Sequence, residues 1–191
     1  TSCINIESDK VTHKQIISSR SYGQAVYDID DIKASVRLYV ASAVKRLRHD
    51  RSICKMIGVY IQTGRFNQQE RYSPYTIIHM HEHTDDLLKI TQAAMKGIDQ
   101  IYKAGFKYKK AGIVLLEIMD KTQFVHDLFT DYSHQNDREV LSNTIDAITE
   151  RFGNHLISLG LCHEKKEPWQ MNQCNRSPAY LTNWSELFRV G

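Results

Sequence analysis

CKMIGVYIQTGRFNQQERYSPYTIIHMHEH, residues 54–83, is the stretch that decides how this chain folds. Residues 54–63 are apolar and β-branched, and residues 75–83 alternate Ile78 and Met80 with His79, His81 and His83. Both runs read as strands. The segment between them, GRFNQQERYSP, carries Gly, Asn, Ser and Pro and reads as a loop. Two strands in succession, with no helix between them, set the centre of the unit.

Working outward, DIDDIKASVRLYVASAVKRLRHD (28–50) repeats Ile32, Val36, Tyr39, Val40, Ala43, Val44 and Leu47 at three and four. That spacing predicts a helix with one apolar face. Asp28 is its expected N-cap. Asp30 and Asp31 suit the positive start, and Lys45, Arg46 and Arg48 the other end. Residues 14–22 read as a first strand. Downstream, a second helix is expected from an N-cap at Thr84, with Leu87, Leu88, Thr91, Ala94, Met95, Ile98, Ile101 and Tyr102 buried and Gly105 ending it. KYKKAGIVLLEI (107–118) closes the unit as a last strand. The order β-α-β-β-α-β predicts an α+β, ferredoxin-like domain over 14–118, with two helices on one face of a four-stranded antiparallel sheet and the other face open.

Residues 1–13 read as an N-terminal linker and 119–136 as a second one. Residues 137–191 read as a small α/β extension. Asn136 or Asp137 is expected to cap a helix lined by Leu141, Ile145, Ile148 and Phe152 and ended by Gly153, and 155–161 to form a strand. Trp169, Met171, Tyr180, Trp184, Leu187 and Phe188 are too many large apolar groups for a disordered tail.

The composition, 41% hydrophobic and 25% charged, is that of an ordinary globular chain. No apolar run approaches the roughly 20 residues of a membrane span. The start has no signal-peptide core and no initiator Met, which leaves room for a longer parent chain. Cys3, Cys54, Cys162 and Cys174 form no C-x-x-C pair and read as reduced thiols of a cytoplasmic protein. Charge is uneven: residues 1–118 hold 18 Lys and Arg against 12 Asp and Glu, and residues 119–191 hold 7 against 10. A basic part joined to an acidic part suggests two kinds of partner.

The chemistry concentrates at the first strand. Ser18, Ser19, Arg20 and Ser21, next to Gly23, offer hydroxyls, a guanidinium and an approachable backbone, the groups that hold phosphate oxygens. Antiparallel pairing of the first and last strands would add Lys107, Lys109 and Lys110 to one basic rim, extended by Lys14, Arg65 and Arg71. A solvated basic surface is the plain alternative. His79, His81 and His83 on one strand face could share a metal, or simply be exposed. Cys162, His163 and Cys174 match no strong zinc pattern. The acid pairs Asp30–Asp31 and Asp85–Asp86 are assigned to first helical turns. No phosphate loop, nucleophile elbow or paired carboxylate site is present in the pattern. In the second linker Gln123, Leu128 and Phe129 could anchor a peptide in a partner's pocket, or Phe124, Leu128 and Phe129 could pack on their own domain.

KQIISSRSYG (14–23), KAGFKYKKAGIVL (103–115) and WQMNQCNRSPAYLTNWSELFRV (169–190) together resemble the C-terminal part of UmuC-type Y-family DNA polymerases, the branch of the bacterial SOS polymerase V. The resemblance covers nearly the whole chain. It implies that 14–118 is a little-finger domain, which lays its sheet on duplex DNA near the primer end and contacts phosphates without reading sequence. Ser18, Ser19, Arg20, Lys109 and Lys110 stand at the matching positions. It implies a sliding-clamp peptide after that domain. Two registers compete for it: Gln123 is one residue too far from Leu128 and Phe129 for the short form, and the longer form puts His126 at an aliphatic position. It implies docking of a UmuD′-like SOS partner by the acidic part, a cytoplasmic, nucleoid-associated setting, and damage bypass by the parent enzyme. The metal-binding carboxylates and their Mg2+ belong to catalytic domains absent from this sequence, so the piece is expected to bind without catalysing. Two other readings stand beside it, a protein-interaction module whose lysines are only solvated and a small enzyme built on the His-rich strand.

Overall fold

The computed structural model describes residues 14–64, 71–124, 135–153, 169–170, 177–179, 183, 185 and 187. Its elements run β1 (Ile16–Val26), α1 (Ile29–His49), β2 (Ser52–Thr63), β3 (Tyr75–Thr84), α2 (Leu87–Ile101) and β4 (Tyr108–Asp120), then a 3-10 turn (Lys121–Gln123) and α3 (Gln135–Phe152). The four strands form one antiparallel sheet in the order β1-β4-β2-β3. The α+β fold and the β-α-β-β-α-β order are as expected. β1 and β2 run parallel with β4 between them, which is how a split β-α-β unit closes its sheet.

α1 begins where its sequence says it must. The Asp28 carboxylate accepts from the Asp30 N–H at 3.0 Å, with Asp30 and Asp31 in the first turn. All seven residues of its apolar face are buried. Beneath it, the Tyr22 hydroxyl donates to Ser35 Oγ at 2.7 Å, and Ser35 donates on to the Ile32 carbonyl at 2.7 Å. Burial pushes the Tyr22 hydroxyl's pKa up. Ile57, Val59 and Ile61 of β2 and Ala111, Ile113 and Leu115 of β4 complete the core. Each fully buried aliphatic side chain contributes about 1.5–3 kcal/mol. Cys54 lies in this core, and burial pushes its thiol up to about 12. The other three cysteines, and with them the Cys162–His163–Cys174 reading, lie outside the described residues.

Several boundaries differ from the expectation. β1 does not stop at Tyr22: it breaks register between Ser21 and Val26 and resumes as Val26 pairs Tyr108. The hydroxyl-rich run is therefore mid-strand, with its backbone committed to the ladder. α2 is capped by Asp86, not Thr84. The Asp86 carboxylate accepts from Leu88 N at 2.8 Å and Lys89 N at 3.4 Å, while Thr84 ends β3 and its hydroxyl accepts from Asp86 N. Asp85 and Asp86 thus precede the helix. The buried stripe is Ile90, Thr91, Ala93, Ala94, Gly97, Ile98 and Ile101, with Leu87 and Met95 half-buried and Leu88 exposed. The helix stops at Ile101, before Gly105, whose φ of +89° serves the turn into β4. Residues 119 and 120 belong to β4 rather than to a linker.

α3 departs furthest. Leu141 and Phe152, placed on its buried side by spacing, are 52% and 61% exposed, and Ile145 and Ile148 are half-buried. The helix turns its polar face to the sheet domain instead. The strand expected at 155–161 lies outside the described residues. Trp169 packs on the edge of the core. Among the described residues, no helix is long and apolar enough to cross a membrane.

Candidate nucleic-acid interface

The sheet face away from α1 and α2 is built by alternation. In β2, Val59 and Ile61 point into the core, so Gly58, Tyr60 and Gln62 point out. In β4, Ala111 and Ile113 point in, so Lys110, Gly112 and Val114 point out. In β1, Ile16 and Tyr22 point in, so Ile17, Ser19 and Ser21 point out. Register then aligns these residues across the strands. Ser21 pairs Lys110, which pairs Gln62. Ser19 pairs Gly112, which pairs Tyr60, which pairs Tyr75. Two further rows, Ile17–Val114–Gly58–Ile77 and Leu116–Met56–His79, are mostly apolar. The open face has a polar half and an apolar half.

Two glycines, Gly112 in the polar half and Gly58 beside it, let the tyrosines lie flat on this face. A Cβ at Gly112 would stand 2.4 Å from Ser19 Cβ and 2.5 Å from the Tyr60 hydroxyl, and one at Gly58 would stand 2.3 Å from the Tyr75 hydroxyl. Both tyrosines therefore lie across a central strand, and Lys110 Nζ sits 5.9 Å from the Tyr60 ring centroid. The side chains of Ser19, Ser21, Tyr60, Gln62, Tyr75 and Lys110 make no hydrogen bond among the described residues. They form a cluster of donors facing solvent.

The cations gather at one end of the sheet, the end where β1 and β2 finish and β3 and β4 begin. Lys107 lies 5.9 Å from the Tyr27 ring centroid, Lys109 donates to the Gly23 carbonyl at 3.4 Å, and Arg71 is exposed beside β3. Lys103, 4.7 Å from the Tyr72 centroid, joins them. Lys109 is an extra residue, since Gln62 and Thr63 of β2 pair Lys110 and Tyr108, and this bulge lets Tyr108 return to the core while Lys110 faces out.

Not every expected member lies on this face. Ser18 and Arg20 fall on the helix side of β1, and Arg20 acts electrostatically on Tyr39 of α1. Lys14 precedes β1 and so lies at the opposite end of the sheet. Arg65, Leu128 and Phe129 lie outside the described residues, and Gln123 is exposed at the end of the 3-10 turn. The histidines do not act as one row. His79 is on the open face, while a register break after it sends His83 into a cleft against Phe124, at 5.9 Å between ring centroids. Burial, then nearby Lys55, lowers the His83 pKa. Among the described residues no three His, Cys, Asp or Glu side chains are grouped as a metal needs. Reading β2 as apolar and β-branched missed Tyr60 and Gln62. The signal was its own alternation, Gly-Val-Tyr-Ile-Gln at 58–62.

Residues 13–128 match the impB/mucB/samB family C-terminal domain, and residues 139–190 match a domain of unknown function, DUF4113. The chain is 27% identical over 189 residues to Protein UmuC of Salmonella typhimurium strain LT2, covering 98% of this chain and 44% of that protein. It is 28% identical over 186 residues to Protein MucB of Salmonella typhimurium, covering 97% and 44%. The chain spans less than half the length of these curated relatives. Among solved structures, a Y-family DNA polymerase chimera of Dbh and Dpo4 aligns with a TM-score of 0.48 at 9% identity, over 61% of this chain and 32% of that one. DinB from Sulfolobus solfataricus aligns with a TM-score of 0.46 at 9% identity, over 56% and 29%.

Proposed function

Because the chain belongs to the impB/mucB/samB family, whose C-terminal domain it carries at residues 13–128, we propose that it is the DNA-gripping and partner-docking part of an error-prone translesion polymerase. A duplex lies across the polar half of the open sheet face. Lys110 and the hydroxyls of Ser19, Ser21, Tyr60 and Tyr75 donate to its phosphate oxygens, and Lys103, Lys107, Lys109 and Arg71 supply field from the adjoining end. Such contacts position a duplex without reading its sequence. Lesion-tolerant synthesis needs that, since the template base is the variable. The observation that carries the reading is the flat row of donors with no hydrogen-bond partner among the described residues.

Arg20 and Lys14 contribute charge, and Ser18 only a hydroxyl, from other surfaces rather than contacts on this one. Gln123, with Leu128 and Phe129 after it, is the candidate sliding-clamp anchor, and the acidic part of the chain is the candidate UmuD′-like docking region. Magnesium-dependent nucleotidyl transfer is assigned to the part of the relatives that this chain does not span. The setting is the bacterial cytoplasm, at the nucleoid.

The test is fluorescence anisotropy of a labelled primer–template duplex titrated with the chain across a salt series. Binding is expected at low salt with a log–log salt slope that reflects several phosphates. Lys110→Ala should weaken all sequences alike and flatten the slope by about one, with Lys109→Ala milder, because Lys109 is tied to Gly23. No binding at low salt would overturn the proposal in favour of a protein-docking face, the reading that the apolar rows Ile17–Val114–Ile77 and Leu116–Met56 support.

A further inference from the structure

Glu139, Asn143, Asp146 and Glu150 recur at four, three and four along α3 and so share one face. That face is the one turned to the sheet domain. Glu139 Oε1 lies 2.9 Å from Lys121 Nζ, and Asp146 Oδ2 lies 3.0 Å from Arg48 Nη2. Asn143 Oδ1 accepts from the same Arg48 nitrogen at 2.9 Å. Arg138 Nη1, on the flank, lies 3.0 Å from Asp86 Oδ2. Glu150 and Asp146 wall a cleft of about 590 Å3 opposite Lys45, Arg46 and His49 at the end of α1. No described side chain of α3 is buried, and Val140, Leu141 and Phe152 are 65%, 52% and 61% exposed. Among the described residues, this helix of 18 residues, with Ile145 and Ile148 only half-buried, is thus held to the sheet domain chiefly by ion pairs, where helices ordinarily dock by an apolar stripe.

We propose that α3 is a releasable strap: an acidic stripe clips it to Arg48 and Lys121, and it leaves the sheet domain without unfolding it. The energetic contrast is large. The sheet and its two helices share a buried core that salt does not weaken. The strap rests on pairs whose α3 partners, Glu139, Asp146 and Arg138, stay substantially exposed, so they are individually weak and screened by salt. Release uncovers Arg48 and Lys121.

Hydrogen exchange of the full chain, followed by mass spectrometry of its peptides, tests this. Going from about 0.05 M to about 1 M NaCl shortens the screening length from above 10 Å to about 3 Å. Peptides from 135–152 should then exchange about tenfold faster, the factor expected from losing three weak pairs. Peptides from α1 and β2 should not change. Asp146→Lys should produce the same acceleration at low salt, and adding Arg48→Glu to it should restore the slow rate. If α3 peptides ignore both salt and Asp146→Lys, or if sheet peptides accelerate with them, the strap does not exist as a separate unit.

Discussion

Gly112 shows how one missing side chain shapes a surface. Its φ is unremarkable, so it is required for space and not for backbone freedom. A methyl there meets Ser19 Cβ at 2.4 Å, and a strand-borne Cβ cannot swing away. Gly112→Ala should cost about 1–3 kcal/mol in urea denaturation and lower duplex affinity together, because Tyr60 must lift. Gly58→Ala meets only the Tyr75 ring end, a flexible tip. It should leave the urea midpoint nearly unchanged while moving Tyr75, so affinity falls with little loss of stability. Equal stability costs for the two would mean that the aromatic shelf is not laid down as described.

At the scale of elements, capping and bulges decide which residues meet. Asp86 carries two duties, closing the first turn of α2 and holding Arg138 of α3. Asp86→Ala should lower stability by about 1 kcal/mol, read as a reduced urea midpoint at unchanged slope; no change would assign the capping to Thr84 after all. The bulge at Lys109 is the other deciding feature. Without it, strict alternation from Ala111 would turn Tyr108 out of the core. With it, Lys109 reaches back to Gly23 and only Lys110 stands over Tyr60.

For the molecule as a whole, the sheet domain and α3 respond differently to pH. Hydrogen bonding to Lys121, then its charge, holds the Glu139 carboxyl below the ordinary carboxylate range. Burial pulls the Lys121 pKa down, but the bonds and charges of Glu139 and Asp85 outweigh it and the net shift is upward. The groups facing Glu139 are Lys121 and, further off, Arg48, with Asp85 sharing Lys121. A depressed carboxyl contributes docking stability that is complete above its undocked pKa and is lost as pH falls through the docked value. Exchange of α3 amides, corrected for intrinsic rates, should therefore quicken on acidification through the carboxylate range, and Glu139→Gln should weaken that dependence. A pH response unaltered by Glu139→Gln would place the titrating group elsewhere.

What the amino-acid order determined alone is local. The cap at Asp28, the apolar stripe of α1, the strand periods of β2 and β3 and the sequence of elements all depend on neighbours within a few residues, so spacing reveals them. The family was legible too, in RSYG and YKKAG, and the match over 13–128 bears it out. Tertiary structure decided the rest. Whether Ser19 or Arg20 shares a face with Lys110 depends on where β1 enters the ladder, and a shift of one residue inverts the answer. The meeting of Tyr60, Gly112 and Ser19 joins residues from three strands. α3 has an apolar stripe that spacing assigns inward, yet its acids face Arg48 and Lys121, because a stripe states which residues lie together and never which partner will cover them.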